Sequence, residues 1–302
     1  MKEFNTPILF VIFNRKQTAE KVFEKIREIK PKKLYVAADG PRKNRPDDIE
    51  KCKQTRDIIK VDWDCELKTL FREENVGCGR GVSWAISWLF ENEEKGIILE
   101  DDVLPNSDFF AFCDDLLERY KDNDKIKAIS GNNFSINPKD NKASYWYSSI
   151  LHVWGWATWR RAWKDYEFDL SKFSSKELKQ MYEPYNVGCE SKLYWQYRAN
   201  QMRKHSVDTW DYQAMFWVWR KNGLCIQPAV PLVTNIGVET TEEQTHSFAS
   251  SKDMVHASKS LLPLVYNDDV KQDKQADKQY HIKYNKKALW KYPLLNLRLM
   301  LK

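Results

Sequence analysis

The stretch Gly96-Ile97-Ile98-Leu99-Glu100-Asp101-Asp102-Val103-Leu104-Pro105-Asn106 sets three acids directly after a short apolar run. That run, Ile97 to Leu99, predicts a buried parallel strand, because a strand covered on both faces has no polar side to alternate with. Adjacent carboxylates repel one another, so a folded chain needs a reason to gather them at a strand end. In an open α/β sheet the carboxyl ends of the strands are where ligands sit. A hard divalent cation, which takes oxygen ligands, would neutralise the repulsion and could bridge two phosphates. The plainer reading is a solvated acidic turn ahead of a helix over 107–120.

Other polar groups stand at similar points. Asn14-Arg15 follows an apolar run over 7–13, and Asp39-Gly40-Pro41-Arg42 follows one over 33–38. Arg15 suits a phosphate or a base, and Asp39 suits a uracil imide or a ribose hydroxyl; otherwise both are turn residues. Glu74-Asn75-Val76-Gly77-Cys78-Gly79-Arg80-Gly81 holds three glycines in five residues, which permits close backbone approach and turns with positive φ. It lacks the Gly-Lys-Ser/Thr of a Walker loop. Leading into a helix over 82–92, it would present backbone N–H groups to an anion.

Trp154-Gly155-Trp156 puts a glycine between two indoles, a tight loop suited to floor a sugar site. Trp156, Trp159 and Trp163 also fall at i, i+3 and i+7, the spacing of a buried helix face. Asp211 stands in the first turn of a helix that Asp208 or Thr209 would cap and Gly223 would end. The helix dipole alone favours an acid there, and a carboxylate facing the acidic strand could also serve as a general base.

The segment Ile98-Leu99-Glu100-Asp101-Asp102-Val103, with Pro105 and Asp108-Phe109-Phe110 behind it, resembles the Glu-Asp-Asp form of the Asp-x-Asp motif in GT-A nucleotide-sugar glycosyltransferases. It is most similar to the N-acetylglucosaminyltransferase I type. The likeness extends to Pro7-Ile8-Leu9 with Asn14-Arg15, and to Trp210-Asp211 with Cys225-Ile226-Gln227-Pro228. The resemblance implies a metal-dependent, inverting transfer from a nucleotide-diphosphate sugar, UDP-linked, to a glycan or lipid-linked acceptor. It implies Mn2+ or Mg2+ on Asp102, with Glu100 and Asp101 contacting sugar and ribose. Arg15 and Asp39 would hold the uridine, with Arg80 beside the nucleotide. Trp154, Gly155 and Trp156 would line the donor and acceptor sites, and Asp211 would be the base. The polar stretch 238–252 resembles a loop that closes over the donor, from which His246 would reach the metal or pyrophosphate.

Two other readings compete. A lectin-like relative would hold a nucleotide sugar or glycan without turnover, though it would be free to lose any of Glu100, Asp101, Asp102 and Asp211. A nucleotidyltransferase would carry a glycine-rich loop with a basic residue directly after the first strand, and Phe13-Asn14-Arg15-Lys16-Gln17 is not that.

These residues need a scaffold, and the chain predicts one. A helix over 16–30 presents Ala19, Val22, Phe23, Ile26 and Ile29 on one face. Further helices are expected over 47–59, 176–182 and 192–203, and strands over 68–72 and 125–130. Alternating strand and helix up to residue 135 predicts a Rossmann-like, mainly parallel α/β sheet flanked by helices, of GT-A type. We divide it into a nucleotide-sugar-binding half (1–135), an aromatic-rich helical half carrying acceptor and base (136–255) and a tail (256–302). The tail's basic, leucine-rich end suits either an interfacial segment on anionic lipid or a strand or helix docked on the domain.

The 302 residues, 42% hydrophobic and 14% aromatic, support a sizeable core. Thirteen tryptophans exceed ordinary core needs and lean toward a carbohydrate ligand, whose rings stack on aromatic faces. The net charge of +6 is dispersed, which argues against a nucleic-acid binder. Six cysteines without CxxC spacing predict free thiols in a reducing cytoplasm. No apolar run reaches the roughly 18–20 residues that span a bilayer.

Overall fold

Apolar runs become strands and amphipathic stretches become helices, in alternation. The computed structural model describes residues 3–136, 138, 140–237, 260–285 and 291–295. In chain order the elements are β1 (Ile8–Ile12), α1 (Lys16–Ile29), β2 (Lys33–Ala38), α2 (Asp47–Arg56), β3 (Glu66–Phe71), α3 (Cys78–Asn92), β4 (Lys95–Glu100), β5 (Val103–Pro105) and α4 (Ser107–Arg119). There follow β6 (Ile126–Ser130), β7 (Tyr145–Ser148), β8 (Trp156–Trp159), α5 (Arg160–Trp163), α6 (Ser175–Tyr182), α7 (Cys189–Arg203), α8 (Asp211–Arg220), β9 (Leu224–Pro228), β10 (Val233–Asn235) and α9 (Lys274–Asn285).

Eight strands form one sheet in the order β3-β2-β1-β4-β8-β6-β9-β7. β1 to β4 pair in parallel, β6 and β9 run with them, and β8 and β7 run against their neighbours. The fold is therefore the mainly parallel, helix-flanked α/β sheet that the alternation predicts. Register aligns the strand ends: Ile12 lies opposite Ala38, and Val11 opposite Glu100. The turns after β1, β2 and β4 consequently open on the same sheet edge. β7, β8 and β9, from later in the chain, lie in this same sheet.

Side chains alternate across the strands into two cores. Phe10, Ile12, Ile97 and Leu99 pack with Ala19, Val22, Phe23 and Ile26 of α1 and with Phe109 and Phe112 of α4. Leu9, Tyr35 and Ile98 pack with Ala85, Ile86 and Leu89 of α3 and with Phe216 and Trp217 of α8. Each fully buried aliphatic or aromatic side chain contributes roughly 1.5–3 kcal/mol. The acidic turn is held between β4 and α4, whose N-cap Asn106 accepts from Phe109 N at 3.0 Å. A small antiparallel pair, β5 with β10, brings Ile236 N within 2.8 Å of the Asp102 carbonyl.

The structure corrects three expectations. Trp156 and Trp159 lie on β8, not on a helix; only Arg160–Trp163 is helical. Being three apart on a strand they face opposite ways, Trp156 into the α3 and α8 core and Trp159 into the α1 and α4 core. Second, α3 starts at Cys78, so Gly79, Arg80 and Gly81 are its first turn rather than a loop before it. Third, Trp210 holds the N-cap position of α8 without a side-chain capping bond, and neither Asp208 nor Thr209 caps it.

The described part of the tail docks on the domain. Gln272 bridges Tyr147, and the buried Asp277 accepts from the Ser148 hydroxyl at 2.5 Å and the Ser149 amide at 3.0 Å. Residues 291–295 are helical, with Tyr292 buried against Tyr194 and Tyr197. Among the described residues no helix is long and apolar enough to cross a membrane.

Candidate active site

The strand ends that register brings together open into a cleft of about 570 Å³, within the range of small-molecule sites. Arg15, Asp39, Glu100, Asp101, Asp102, Trp154 and Asp211 all line it. Arg42, Arg72, Arg198 and Asp208 line it too, and sequence reasoning gave none of these a ligand role.

The acid trio is organised by Arg15. Its Nη1 donates to Asp102 Oδ2 at 2.8 Å, and its Nη2 donates to Asp101 Oδ1. Asp101 Oδ2 also accepts from Phe13 N at 3.0 Å, tying the ends of β1 and β4 together. Burial works against the Arg15 charge, but the fields of Asp101 and Asp102 outweigh it and hold its pKa above the ordinary value. Burial, then the charges of Asp102 and Asp101, pushes the Glu100 carboxyl well above the usual carboxylate range. Asp101 is raised by burial, against the opposing pull of Arg15. Two aspartates share one arginine, so negative charge is left over.

Asp39 is held by backbone amides. It accepts from Gly40 N at 3.0 Å, from Val76 N at 3.0 and 3.1 Å, and from Gly77 N at 3.1 Å. Burial raises its pKa while those bonds oppose the rise. Beside it, the fully buried Asp48 grips Arg42 through Nε at 2.5 Å and Nη2 at 2.9 Å, and accepts from Asn14 Nδ2 at 2.8 Å. Arg42 above all keeps that carboxyl down to about 2. The network fixes Arg42 over the Phe13 ring at the cleft wall.

The glycine-rich turn does offer amides to an anion, but the anion is the protein's own. Asp208 accepts from Cys78 N and Gly79 N, each at 2.9 Å, at the start of α3. The glycines serve this approach: a Cβ on Gly77 (φ +89°) would stand 2.5 Å from Asp208 Oδ2, and one on Gly79 would stand 2.7 Å from the Thr209 carbonyl. Next to this latch, Asp211 Oδ1 accepts from the Thr209 hydroxyl and from Tyr212 N at 2.8 Å. Among the described residues its Oδ2 receives no hydrogen bond.

Arg80 does not line the cleft. It is exposed and stacks over Phe168 at 5.0 Å and Trp84 at 5.8 Å, because the first turn of α3 directs it away. Trp156 cannot floor a sugar site either: it is fully buried, stacked on Trp210 with ring centroids 5.7 Å apart. Gly155 (φ +56°) is needed for packing, since a Cβ there would meet Val233 Cγ1 at 2.8 Å. Of the three, Trp154 alone lines the cleft. His246 and the stretch 238–252 lie outside the described residues.

Among the described residues no three His, Cys, Asp or Glu side chains converge into a cage for a metal ion. The six cysteines are free thiols.

No protein-family model and no curated protein matches the chain. Solved structures do. One is a mannosyltransferase from Pyrobaculum calidifontis in complex with GDP-Man and Mn2+, 15% identical, with a TM-score of 0.34 over 54% of this chain and 47% of that one. The chain thus spans about half the length of that enzyme. Another is a UDP-glucose pyrophosphorylase complexed with UDP-glucose, 10% identical, with a TM-score of 0.41 over 78% of this chain and 95% of that one. A third is HddC from Yersinia pseudotuberculosis, 10% identical, with a TM-score of 0.32 over 53% of this chain and 80% of that one.

Proposed function

We propose that the chain is a GT-A glycosyltransferase that moves a sugar, with inversion and with a divalent metal, from a UDP-linked donor to a glycan or lipid-linked acceptor. The observation that carries this reading is the meeting, in one cleft, of the acid trio at the end of β4 with Asp211 at the start of α8. Residues 1–135 would hold the donor, and 136–255 would supply acceptor contacts and base.

The donor set suits Mn2+ or Mg2+ without a protein cage. Such ions are commonly held by one or two carboxylates plus substrate phosphates and water, and Asp102 with a diphosphate supplies that. The surplus negative charge beside Arg15 favours a cation at the same point. When bound, the ion would neutralise charge developing on the leaving diphosphate.

The chain's own residues would do the rest. Asp211 takes the proton of an acceptor hydroxyl as that oxygen bonds to the anomeric carbon, while the bond from that carbon to the diphosphate breaks. The two hydrogen bonds on Oδ1 fix the carboxylate and leave Oδ2 to receive the proton. A single displacement inverts the anomeric centre. Arg15 and Asp39 would contact the nucleotide.

Nucleoside-diphosphate release, screened across UDP-, GDP-, CMP- and dTDP-sugars with and without manganese, tests the reading. Metal-dependent release from a UDP-sugar is expected. No release from any donor, with or without manganese, overturns it.

A further inference from the structure

The cations of the cleft differ in what holds them. Arg15 is paired with Asp101 and Asp102, and Arg42 with Asp48. Arg72 lies 4.9 Å over the Trp84 ring at the rim. Arg198, on α7, is of another kind. Its guanidinium lies 4.3 Å from the Tyr212 ring centroid, 4.9 Å from that of Tyr194 and 5.6 Å from that of Tyr197. Its Nη1 donates to Gln201 Oε1 at 2.7 Å, and its buried Nε finds no acceptor. No carboxylate pairs with it among the described residues.

Aromatic rings take up the faces of a guanidinium and leave its in-plane donor edge for a planar or tetrahedral oxyanion. A partly buried positive charge without a counter-ion is costly unless something brings the opposite charge. Position shows what that something accompanies. Tyr212, which carries Arg198 on its ring, directly follows Asp211, whereas the diphosphate side of the cleft is served by Asp102 and Arg15. We infer that Arg198 binds an anionic group, carboxylate or phosphate, on the acceptor, so that the enzyme's acceptors are acidic sugars or phosphate-bearing lipids rather than neutral glycans. This rests on the glycosyltransferase reading and on Asp211 marking the acceptor side.

Calorimetry on the full chain with UDP and Mn2+ already bound tests it, using methyl glucuronide, dodecyl phosphate and neutral methyl glucoside as probes. At least one anionic probe should bind about tenfold or more tighter than the glucoside, as a charged hydrogen bond requires. Glucuronide preference identifies an acidic sugar, and dodecyl phosphate preference identifies a lipid phosphate. Arg198→Gln should remove the advantage and leave UDP affinity as it was, which also certifies the fold. Arg198→Lys, keeping charge but not the planar fork, should restore part of it. The inference is overturned if charged and neutral probes are indistinguishable, failure of all to bind included. It is equally overturned if Arg198→Gln weakens UDP binding, which would put Arg198 on the donor. Absence of any UDP binding to the wild type would instead remove the glycosyltransferase reading beneath it.

Discussion

Arg15 Nη1 lies 2.8 Å from Asp102 Oδ2, so the carboxylate proposed to hold a metal already has a cation of the protein's own against it. Removing it leaves the buried Asp101 and Asp102 repelling each other and Glu100. Arg15→Ala should cost about 3 kcal/mol in urea unfolding, the low end for a broken buried pair because the arginine is a quarter exposed. Manganese alone should stabilise this variant more than the wild type, while UDP, having lost its Arg15 contact, should not. Equal stabilisation of variant and wild type by manganese would separate Arg15 from the metal position.

Asp102→Ala should leave the fold intact and abolish the manganese-dependent part of UDP binding. Calorimetry with and without manganese reads this directly, and an unchanged affinity with manganese present would take Asp102 out of the metal-binding role.

Asp48 holds Arg42 and Asn14 from a fully buried position. Asp48→Ala removes the acceptor from both, and should lower stability by about 3 kcal/mol. Denaturant midpoints check it. A loss under about 0.5 kcal/mol, typical of a surface change, would mean that the network does not hold the cleft wall.

Asp208 caps α3 from 129 residues further along the chain. Asp208→Ala should cost about 1–2 kcal/mol, as loss of a helix cap does. A matching loss from Asp211→Ala is not expected, because Asp211 caps no helix across the cleft. Thermal unfolding of both variants distinguishes them.

How far the sequence could be read follows from these contacts. β1, α1, β2 and the acid turn obey local rules of period and strand length, and the structure has them within a residue or two of their expected limits. The misreadings arose where partners are remote. Three glycines at 77–81 look like a ligand loop until Asp208 and Thr209 arrive against them. The tryptophan spacing imitated a helix because β8 runs straight into α5. Arg198 carried no signal, since its aromatic cage draws Tyr212 from another helix.

Two buried histidines set an acid limit. Burial pushes His152 down to about 3, with His281 nearby adding to the effect, and pushes His281 down to about 4. Both are neutral in the fold, while the unfolded chain takes up protons below about pH 6.5. Stability from these groups is therefore complete above pH 6.5 and is lost as pH falls toward 4, at about 1.4 kcal/mol per pH unit for each. Urea unfolding at pH 7, 6 and 5 measures the slope. His152→Phe should flatten it, and an unchanged slope would assign the acid loss elsewhere.

The role of Asp211 is read most directly from the turnover number of Asp211→Asn with a donor that the wild type accepts, measured beside donor affinity in the same preparation. A positioned base is worth about 10²–10⁴-fold in rate. A loss of that size with donor binding retained is expected. Near-full activity in Asp211→Asn would contradict it.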